Sequence, residues 1–294
     1  MHVAILSARS GWHTDELRRA VTARGHTCTV APYQGIAARI GWGEGDGVEV
    51  AAADTHAPDA VLARIIPSGS LEQIIFRIDA LHWLEERGIP VLNSPRTIER
   101  SVDKFYTSAL LRDAGLPTPA TVVCEDFATA MAAIREMGDV IVKPIFGSMG
   151  HGLVRIADAD IGFRVLRPLE QMGAVFYVQR ALAHEGRDVR AFVVDGRVIG
   201  AIERRSVDGD WRTNVSRGGD ARAIDLCERQ CDLAIAAAAA VGADYAGVDL
   251  LPATDGRTYV LEVNGIPGWQ GLQQATGIDV AGAIAELVEA RVRA

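Results

Sequence analysis

The sequence contains few cysteines, few aromatic residues and no long hydrophobic run, and each shortage excludes a class of protein. The four cysteines form no CxxC pair and have no histidine at metal-binding spacing, so neither a zinc site nor a disulfide framework is indicated. The longest apolar run, residues 233–243, is too short to span a bilayer and is typical of a buried helix. The first residues lack the features of a signal peptide. We therefore expect a cytoplasmic protein that does not act at a membrane.

Basic residues are also in the minority. The 294 residues include 30 Lys and Arg against 38 Asp and Glu, a formal net charge of −8, and no block of basic residues occurs. A nucleic-acid backbone requires a concentrated positive surface, so nucleic acid is not an expected partner. The length predicts two or three packed subdomains. This composition favours a fully folded body of the size of an enzyme.

The first 95 residues alternate between strand and helix signals, which is the pattern of a βαβ unit. We therefore predict an α/β domain over residues 1–95. Strand patterns occupy residues 2–6, 27–31, 60–66 and 90–92, and helical patterns occupy residues 14–24 and 71–87.

The remaining two thirds of the chain give a different pattern, typical of α+β domains. We predict one such domain over residues 96–185 and another over residues 186–294. The first combines helices at 101–113 and 126–136 with strands at 120–124, 140–144 and 153–156, the last two forming a hairpin. The second combines strands at 188–194, 198–205, 246–251 and 258–263 with helices at 225–241 and 280–293, and a turn at Asp195-Gly196 joins its first two strands.

Two strand patterns near the carboxyl end carry polar side chains within apolar runs. Asp249 lies in GVDLL, and Glu262 and Asn264 lie two residues apart in VLEVNGIPG. Side chains two apart on a strand point to the same face, and a paired strand can present Asp249 beside them. Three oxygen donors with an incomplete shell suit a Mg²⁺ ion that also binds water and nucleotide phosphates. The alternative is a solvated edge carboxylate next to a turn asparagine.

A lysine and a glycine-rich segment predict a phosphate site. Lys143 lies in the apolar strand VIVKP, where its ammonium needs an anionic partner, although the side chain could also extend to solvent. The segment that follows contains Gly147, Ser148 and Gly150, and its backbone N–H groups can turn toward phosphate oxygens. Alternating glycines also predict a mobile lid. The segment lies between two strands rather than before a helix, which argues against a Walker A loop or a dinucleotide fold.

Six segments of the sequence carry a family resemblance: NSPRTIERSVDKF, VIVKPIFGSMGHG, VQRALAHEGRDVRAFVV, AIERRSVDGDWRTNVSRGG, AGVDLL and LEVNGIPGWQGLQQATGIDVA. In this order they resemble the ATP-grasp superfamily, and within it the RimK-like α-L-glutamate ligases. The resemblance runs through nearly the whole chain. It implies an ATP-grasp fold in which an N-terminal pre-grasp α/β domain precedes two α+β domains that clasp ATP, the central one acting as the lid.

The resemblance also implies roles for individual residues. Lys104 and Lys143 resemble two lysines that contact ATP, and Asp188 resembles an acid that binds the ribose. Asp249, Glu262 and Asn264 resemble the metal ligands of the family, which agrees with their predicted common face. Further nucleotide contacts are implied for Gln179, Arg180 and Ala181 around the adenine, and for Arg212, Thr213 and Asn214.

Arginines are concentrated in the polar stretch that joins these motifs. A guanidinium pairs with a carboxylate through two hydrogen bonds and spreads charge over a transferring phosphoryl group. We therefore assign catalysis and substrate binding to Arg204 and Arg217, together with Lys143. The stretch contains Arg187, Arg190, Arg204, Arg205, Arg212 and Arg217.

The predicted activity is an ATP-dependent carboxylate–amine ligation through an acyl phosphate, with ATP and Mg²⁺ or Mn²⁺ as cofactors and two ions expected. The resemblance implies that L-glutamate is added to the terminal carboxylate of a protein or of a tetrahydromethanopterin-like cofactor, because RIIPSGSLEQIIFRIDALHWLEE is similar to the cofactor-modifying branch. It also implies a homo-oligomer. Three alternatives stay open: an amino-acid ligase acting on a carrier protein of lysine or arginine synthesis, a phosphotransferase, and a nucleotide-binding regulator without catalysis.

Overall fold

Four strands from the first 92 residues form a parallel sheet with helices on both faces. The computed structural model of the protein describes residues 1–50, 57–147, 152–206 and 220–293. The sheet has the strand order β2-β1-β5-β6, and β3 and β4 form a separate antiparallel pair, so the predicted βαβ pattern is confirmed. The elements are β1 (His2–Leu6), α1 (Trp12–Ala23), β2 (Thr27–Ala31), β3 (Ile36–Arg39), β4 (Gly47–Val50), β5 (Ala60–Ala63), α2 (Leu71–Glu86) and β6 (Val91–Leu92).

The central strand β1 is buried on both faces, as its unbroken apolar sequence predicts. Val3 and Ile5 pack with α1 and with the last helix of the chain, α9 (Val280–Arg293). Ala4 and Leu6 point the other way, into the cluster that α2 covers. The carboxyl-terminal helix therefore completes the core of the amino-terminal sheet.

Two short helices follow this sheet, where the sequence predicts one helix over residues 101–113. The first helix, α3 (Pro95–Val102), begins after Ser94, whose hydroxyl accepts a hydrogen bond from the N–H of Thr97 at 3.1 Å. The second, α4 (Lys104–Asp113), begins after Asp103, whose carboxylate accepts from the N–H of Tyr106 at 3.1 Å. The predicted single helix is wrong because Ser94 and Asp103, only nine positions apart, each cap the start of a helix. The break makes Lys104 the first residue of α4.

The second sheet is antiparallel and has helices on one face. Its strand order is β7-β10-β8-β9, and the pairing of β8 with β9 confirms the predicted hairpin. The core lies between this sheet and α5 and α6, and α6 is not among the predicted elements. The elements are β7 (Thr121–Cys124), α5 (Phe127–Met137), β8 (Val140–Lys143), β9 (Val154–Ile156), α6 (Ala159–Gln171) and β10 (Phe176–Arg180).

The third sheet is also antiparallel and supplies most of the candidate site. Its strand order is β13-β12-β11-β14-β15. The predicted turn at Asp195-Gly196 is confirmed, with φ values of 48° and 69° that suit a two-residue hairpin. The elements are β11 (Arg187–Val194), β12 (Arg197–Arg205), β13 (Asp220–Ala223), α7 (Glu228–Val241), β14 (Tyr245–Pro252), β15 (Thr258–Asn264) and α8 (Gln270–Thr276), followed by α9.

The longest apolar run of the sequence lies largely in α7, which packs on the third sheet. Ala234, Ala237, Ala238 and Val241 of this helix are buried against the sheet, so the predicted buried helix is confirmed. Small alanine side chains let the helix approach the strands closely. Within the ranges that the structure describes, no helix has both the length and the apolar character needed to cross a membrane.

The loop after β15 packs against the amino-terminal sheet through Trp269, which is fully buried. The guanidinium of Arg64 lies 4.8 Å from the centre of the indole ring and donates a hydrogen bond to the carbonyl of Pro267 at 2.8 Å. On the other side, the N–H of Trp269 donates to Nε2 of His13 at 3.1 Å. Burial and the charge of Arg64 lower the pKa of His13 to about 4, so its ring is neutral and can accept this bond near pH 7.

Asn93 makes a second connection between the first and third sheets. Its side-chain amide is fully buried after β6 and donates to the carbonyls of Tyr245 at 2.8 Å and Gly265 at 2.5 Å. Its oxygen accepts from the N–H groups of Asp244 at 2.7 Å and Tyr245 at 3.2 Å. One side chain therefore fixes the start of β14 and the residue that follows the end of β15.

We predict that Asn93→Ala lowers the free energy of unfolding by about 2 to 4 kcal/mol, because it leaves several buried backbone groups without partners. Urea denaturation monitored by circular dichroism measures this change. The exposed amide of Gln34 provides a control, and Gln34→Ala should change stability by less than about 0.5 kcal/mol. A loss for Asn93→Ala no larger than that of the control would contradict the connection described above.

Candidate active site

The polar residues of β14 and β15 lie together at one place on the third sheet. Asp249 is paired directly with Glu262, and Gly247 with Asn264, in the antiparallel register of the two strands. The register shifts between Asp249 and Leu250, which marks a bulge next to the paired carboxylates. The side-chain oxygen of Asn264 accepts a hydrogen bond from the N–H of Ile266 at 3.0 Å, which orients it at the strand end.

Asp249 is buried and is held by two arginines. Arg190, its partner on β11, donates through Nε and Nη2 to the two carboxylate oxygens at 2.7 Å each. Arg204 adds a contact of 3.0 Å to Oδ2. Burial alone would raise the pKa of Asp249, but the charges and hydrogen bonds of the two arginines outweigh it and hold this pKa well below the usual value. The carboxylate is therefore ionised and fixed in orientation.

Arg204 also pairs with Asp188, which extends the contacts of Asp249 to a second carboxylate. They are paired across β11 and β12, and Arg204 donates through Nε and Nη2 to the two oxygens of Asp188 at 2.6 Å each. Arg204 is only 3% exposed, so its guanidinium lies inside the protein rather than on a solvated face. The structure therefore brings three predicted site residues, Asp188, Arg204 and Asp249, into one chain of contacts. Arg190, which joins this chain, is not among the predicted site residues.

Lys143 projects from the end of β8 into a polar network of the second sheet. Its ammonium donates to Oε1 of Gln179 at 2.6 Å. The buried amide of Gln179 in turn donates to the hydroxyls of Thr121 and Tyr177 at 3.0 Å each. Burial lowers the pKa of Lys143 to about 8, the positive charge of Lys104 contributes in the same direction, and the negative charges of Glu262 and Asp249 oppose the shift. Gln179 thus contacts the predicted phosphate-binding lysine.

Lys104, at the start of α4, contacts the entrance of the glycine-rich segment. Its ammonium donates to the carbonyls of Ile145 at 3.2 Å and Gly147 at 2.7 Å. Burial lowers its pKa, and Glu262 again opposes the shift. Lys104 and Lys143 are the only two lysines in the sequence, among 30 basic residues. The scarcity of lysine is itself a signal for the site, because all the remaining basic positions counted here are arginine.

Glu262 differs from Asp188 and Asp249 in its partners. Among the residues that the structure describes, no hydrogen bond or ion pair to its carboxylate is found, although its charge influences both lysines. The Glu262 carboxylate is half-buried and can accept from a ligand. Each ammonium has three N–H donors, of which Lys104 uses two and Lys143 one in the contacts described above, so both lysines keep a donor for a ligand. This donor set fits a divalent cation with bound phosphates.

The remaining predicted nucleotide contacts are only partly described. Arg180 is exposed, and the backbone N–H groups of Arg180 and Ala181 donate to the carbonyls of Ala120 at 2.8 Å and Asp139 at 2.9 Å. Their predicted role at the adenine stays a prediction. The residues Ser148, Gly150, Arg212, Thr213, Asn214 and Arg217 lie outside the described residues, and so does most of the predicted lid.

The sequence matches known protein families and curated relatives over most of its length. Residues 1–98 match the RimK PreATP-grasp domain, and residues 101–288 match the RimK-like ATP-grasp domain. The tetrahydromethanopterin:alpha-L-glutamate ligase of Methanosarcina acetivorans is 36% identical over 258 residues, which are 79% of this chain and 80% of that protein. The enzyme of the same name from Methanococcus maripaludis is 32% identical over 286 residues, 96% of this chain and 95% of that protein.

Solved structures give the same fold. The ATP-grasp ligase PsnB, in a complex described as containing a minimal precursor, Mg and ADP, is 25% identical with a TM-score of 0.77, and the match covers 99% of this chain and 97% of that chain. A RimK domain ATP-grasp protein from Sphaerobacter thermophilus, 23% identical, has a TM-score of 0.75 over 98% of this chain and 99% of that chain. These matches confirm the predicted fold. The chain therefore belongs to the RimK-like ATP-grasp family, and it is an ATP-dependent ligase.

Proposed function

We propose that this ligase joins the amine of L-glutamate to the terminal carboxylate of a tetrahydromethanopterin-like acceptor through an acyl phosphate. The observation that carries the ligase chemistry is the Glu262 carboxylate, which has no partner among the described residues, beside Lys104 and Lys143 and next to carboxylates already neutralised by arginine. The choice of glutamate and of the acceptor is supported by the relatives that bear this name at 36% and 32% identity.

A peptide carboxylate is the second candidate acceptor. A structural neighbour at 26% identity, PsnB, is described in complex with the precursor peptide PsnA2 and AMPPNP. That ligase matches 97% of its length to this chain with a TM-score of 0.75. The identity of 36% and 32% to the tetrahydromethanopterin ligases, against 26% to PsnB, favours the cofactor-like acceptor for this chain.

The residues suited to hold the nucleotide and metal follow from the site. Asp249, Glu262 and Asn264 offer oxygen ligands, and we propose that they hold two ions of Mg²⁺ or Mn²⁺. When bound, ATP with its metal ions supplies the phosphoryl group that activates a carboxylate. The proposed nucleotide contacts are Lys104, Lys143, Gly147, Ser148, Gly150, Gln179, Arg180, Ala181, Asp188, Arg212, Thr213 and Asn214.

The side chains of the described site act by position and charge. Lys143 presents positive charge, and Gln179 orients it from the buried side. Arg190 keeps Asp249 ionised and fixed in orientation. The contacts of Arg204 with Asp188 and Asp249 favour a role in positioning them over the direct phosphoryl contact that the sequence predicts. No protein nucleophile is needed, because the two substrates supply both reacting groups.

Several predictions from the sequence are retained as part of the proposal. Arg217 is proposed to bind the carboxylate of a substrate. The domain limits of residues 1–95, 96–185 and 186–294, the central domain as a lid, the homo-oligomeric state and the cytoplasmic location stay predictions.

The proposed activity predicts that ADP and phosphate are released only when ATP, Mg²⁺, L-glutamate and a carboxylate acceptor are all present. Acceptors to compare are a tetrahydromethanopterin-type compound, a peptide with a free terminal carboxylate, and a carrier protein of lysine or arginine synthesis. Mass spectrometry should find the first acceptor heavier by one or more glutamyl residues. ADP release without an amine would instead indicate a phosphotransferase, and activity with the carrier protein alone would refute the proposed acceptor.

The low pKa of Lys143 predicts that ATP affinity depends on pH. Lys143 is protonated below about pH 8 and loses its charge as the pH rises through that value, so its attraction for phosphate falls. We expect the dissociation constant of ATP to rise roughly three- to tenfold between pH 7 and 9.5. Calorimetric titration measures it. In Lys143→Arg the guanidinium stays charged, so the affinity should be weaker but nearly independent of pH. A flat profile for the unaltered protein would contradict the titration of a phosphate-binding Lys143 in this pH range.

A further inference from the structure

Three arginines from three separate elements line one cavity outside the site described above. The cavity has a volume of about 390 Å³ and is bordered by Arg112 near the end of α4, Arg229 in the first turn of α7 and Arg257 just before β15. All three side chains are exposed. None of them forms an ion pair with any residue that the structure describes, although many other arginines of the chain do.

This arrangement concentrates positive charge in a protein whose net charge is −8. Three guanidinium groups around one concave space repel one another unless an anion lies between them, and a concave surface strengthens the local potential. The carboxylate of Asp255, two residues before Arg257, accepts hydrogen bonds from the hydroxyl of Tyr259 at 2.8 Å and the backbone N–H of Arg257 at 2.9 Å, and its charge acts on Arg257. Each guanidinium carries about five N–H donors, and apart from the contact of Arg257 with Tyr259 none of them is hydrogen-bonded to a residue that the structure describes, so several donors are available to an external acceptor.

The cavity also lies on the segment that leads into the second sheet. Gly115, Leu116, Pro117 and Thr118 form its wall, between α4 and β7. The carbonyl of Pro117 accepts a hydrogen bond from the N–H of Val260 at 2.8 Å, so this segment is hydrogen-bonded to strand β15. A ligand in the cavity would therefore contact the connection between the second and third sheets.

The same two elements reach both the cavity and the active site. Arg112 lies eight residues after Lys104 on α4, about 12 Å along the helix. Tyr259, which also lines the cavity, lies three residues before Glu262 on β15, about 10 Å along the strand. The cavity is thus separate from the site but shares its supporting elements.

We propose that this cavity binds a small anion with at least two negative charges, of the phosphate or carboxylate class, and that the three arginines hold it. Guanidinium groups recognise both kinds of oxyanion through paired hydrogen bonds. Arginines on three elements can reach different charged groups of one ligand. Such a ligand bridges α4, α7 and β15 at the segment that leads into the second sheet.

Binding of two probes to the full chain tests the site. Tripolyphosphate represents the phosphate class, and a triglutamate peptide represents the carboxylate class, each titrated by calorimetry with a saturating non-hydrolysable ATP analogue present, so that the nucleotide site is already occupied. The test variant is Arg112→Gln combined with Arg257→Gln. The control, Arg135→Gln combined with Arg164→Gln, removes two exposed arginines of α5 and α6 that do not line the cavity. Both variants lose the same charge, and the nucleotide site is intact in both.

We expect at least one probe to bind the test variant roughly tenfold or more weakly than it binds the unaltered protein, with the control within about threefold. The probe that loses affinity identifies the class of ligand, and loss for both means that the cavity accepts both classes. Equal affinity of test variant and control for both probes would overturn the proposal, as would the absence of binding to the unaltered protein. Circular dichroism establishes that both variants are folded. We expect this result because all the substituted arginines are exposed.

Discussion

The candidate site depends on how the third sheet neutralises its buried carboxylates. Asp188 and Asp249 lie where water is largely excluded, and an ionised group there is stable only when it is paired and hydrogen-bonded. Arg204 and Arg190 satisfy that condition from the neighbouring strands. Because these two carboxylates are accounted for, Glu262 is left as the acidic group of the described site without a protein partner, and its charge acts on the lysines.

Assembly of the site requires contributions from all three sheets. Lys104 comes from α4 and Lys143 from the second sheet, while the carboxylates belong to the third. The ends of the strands that carry the carboxylates are held by the first sheet, through Asn93 at Tyr245 and Gly265 and through the packing around Trp269. The amino-terminal domain thus supports the site without supplying any of its described charged groups. Helix α9, from the far end of the chain, completes the core of this domain.

Much of the fold could be predicted from the sequence because its local signals agree with one another. The buried strand of residues 2–6, the Asp195-Gly196 turn and the closing helix at 280–293 each combine periodicity with the expected end signals. The break at Asp103 was not predicted, because an aspartate can stand inside a helix as well as cap one, and only its hydrogen bond to Tyr106 decides. Helix α6 contains Pro168, a residue that usually interrupts a helical pattern, so its sequence signal is ambiguous.

In the site too, local sequence signals predict some features, while others depend on how the strands pair. Alternation along a strand places Glu262 and Asn264 on a common face without knowledge of the structure. Which arginine meets which carboxylate depends instead on the register between strands, and a shift of one residue would exchange the faces. The register joins Arg190 to Asp249 and Arg204 to Asp188, so Arg204 lies inside the network and not in contact with solvent. The link from Gln179 to Lys143 likewise arises from strand pairing in the second sheet.

The central claim is that Glu262, a carboxylate without a partner among the described residues, is a ligand of a nucleotide-bound metal ion. Binding of Mn²⁺ in the presence of ADP, followed by electron paramagnetic resonance, tests it most directly in the unaltered protein, in Glu262→Gln and in Glu286→Gln. Glu286 is an exposed glutamate of α9 and serves as the charge-matched control. The account predicts that Glu262→Gln weakens Mn²⁺ binding roughly tenfold or more while Glu286→Gln leaves it unchanged. Equal Mn²⁺ affinity in all three proteins would contradict it.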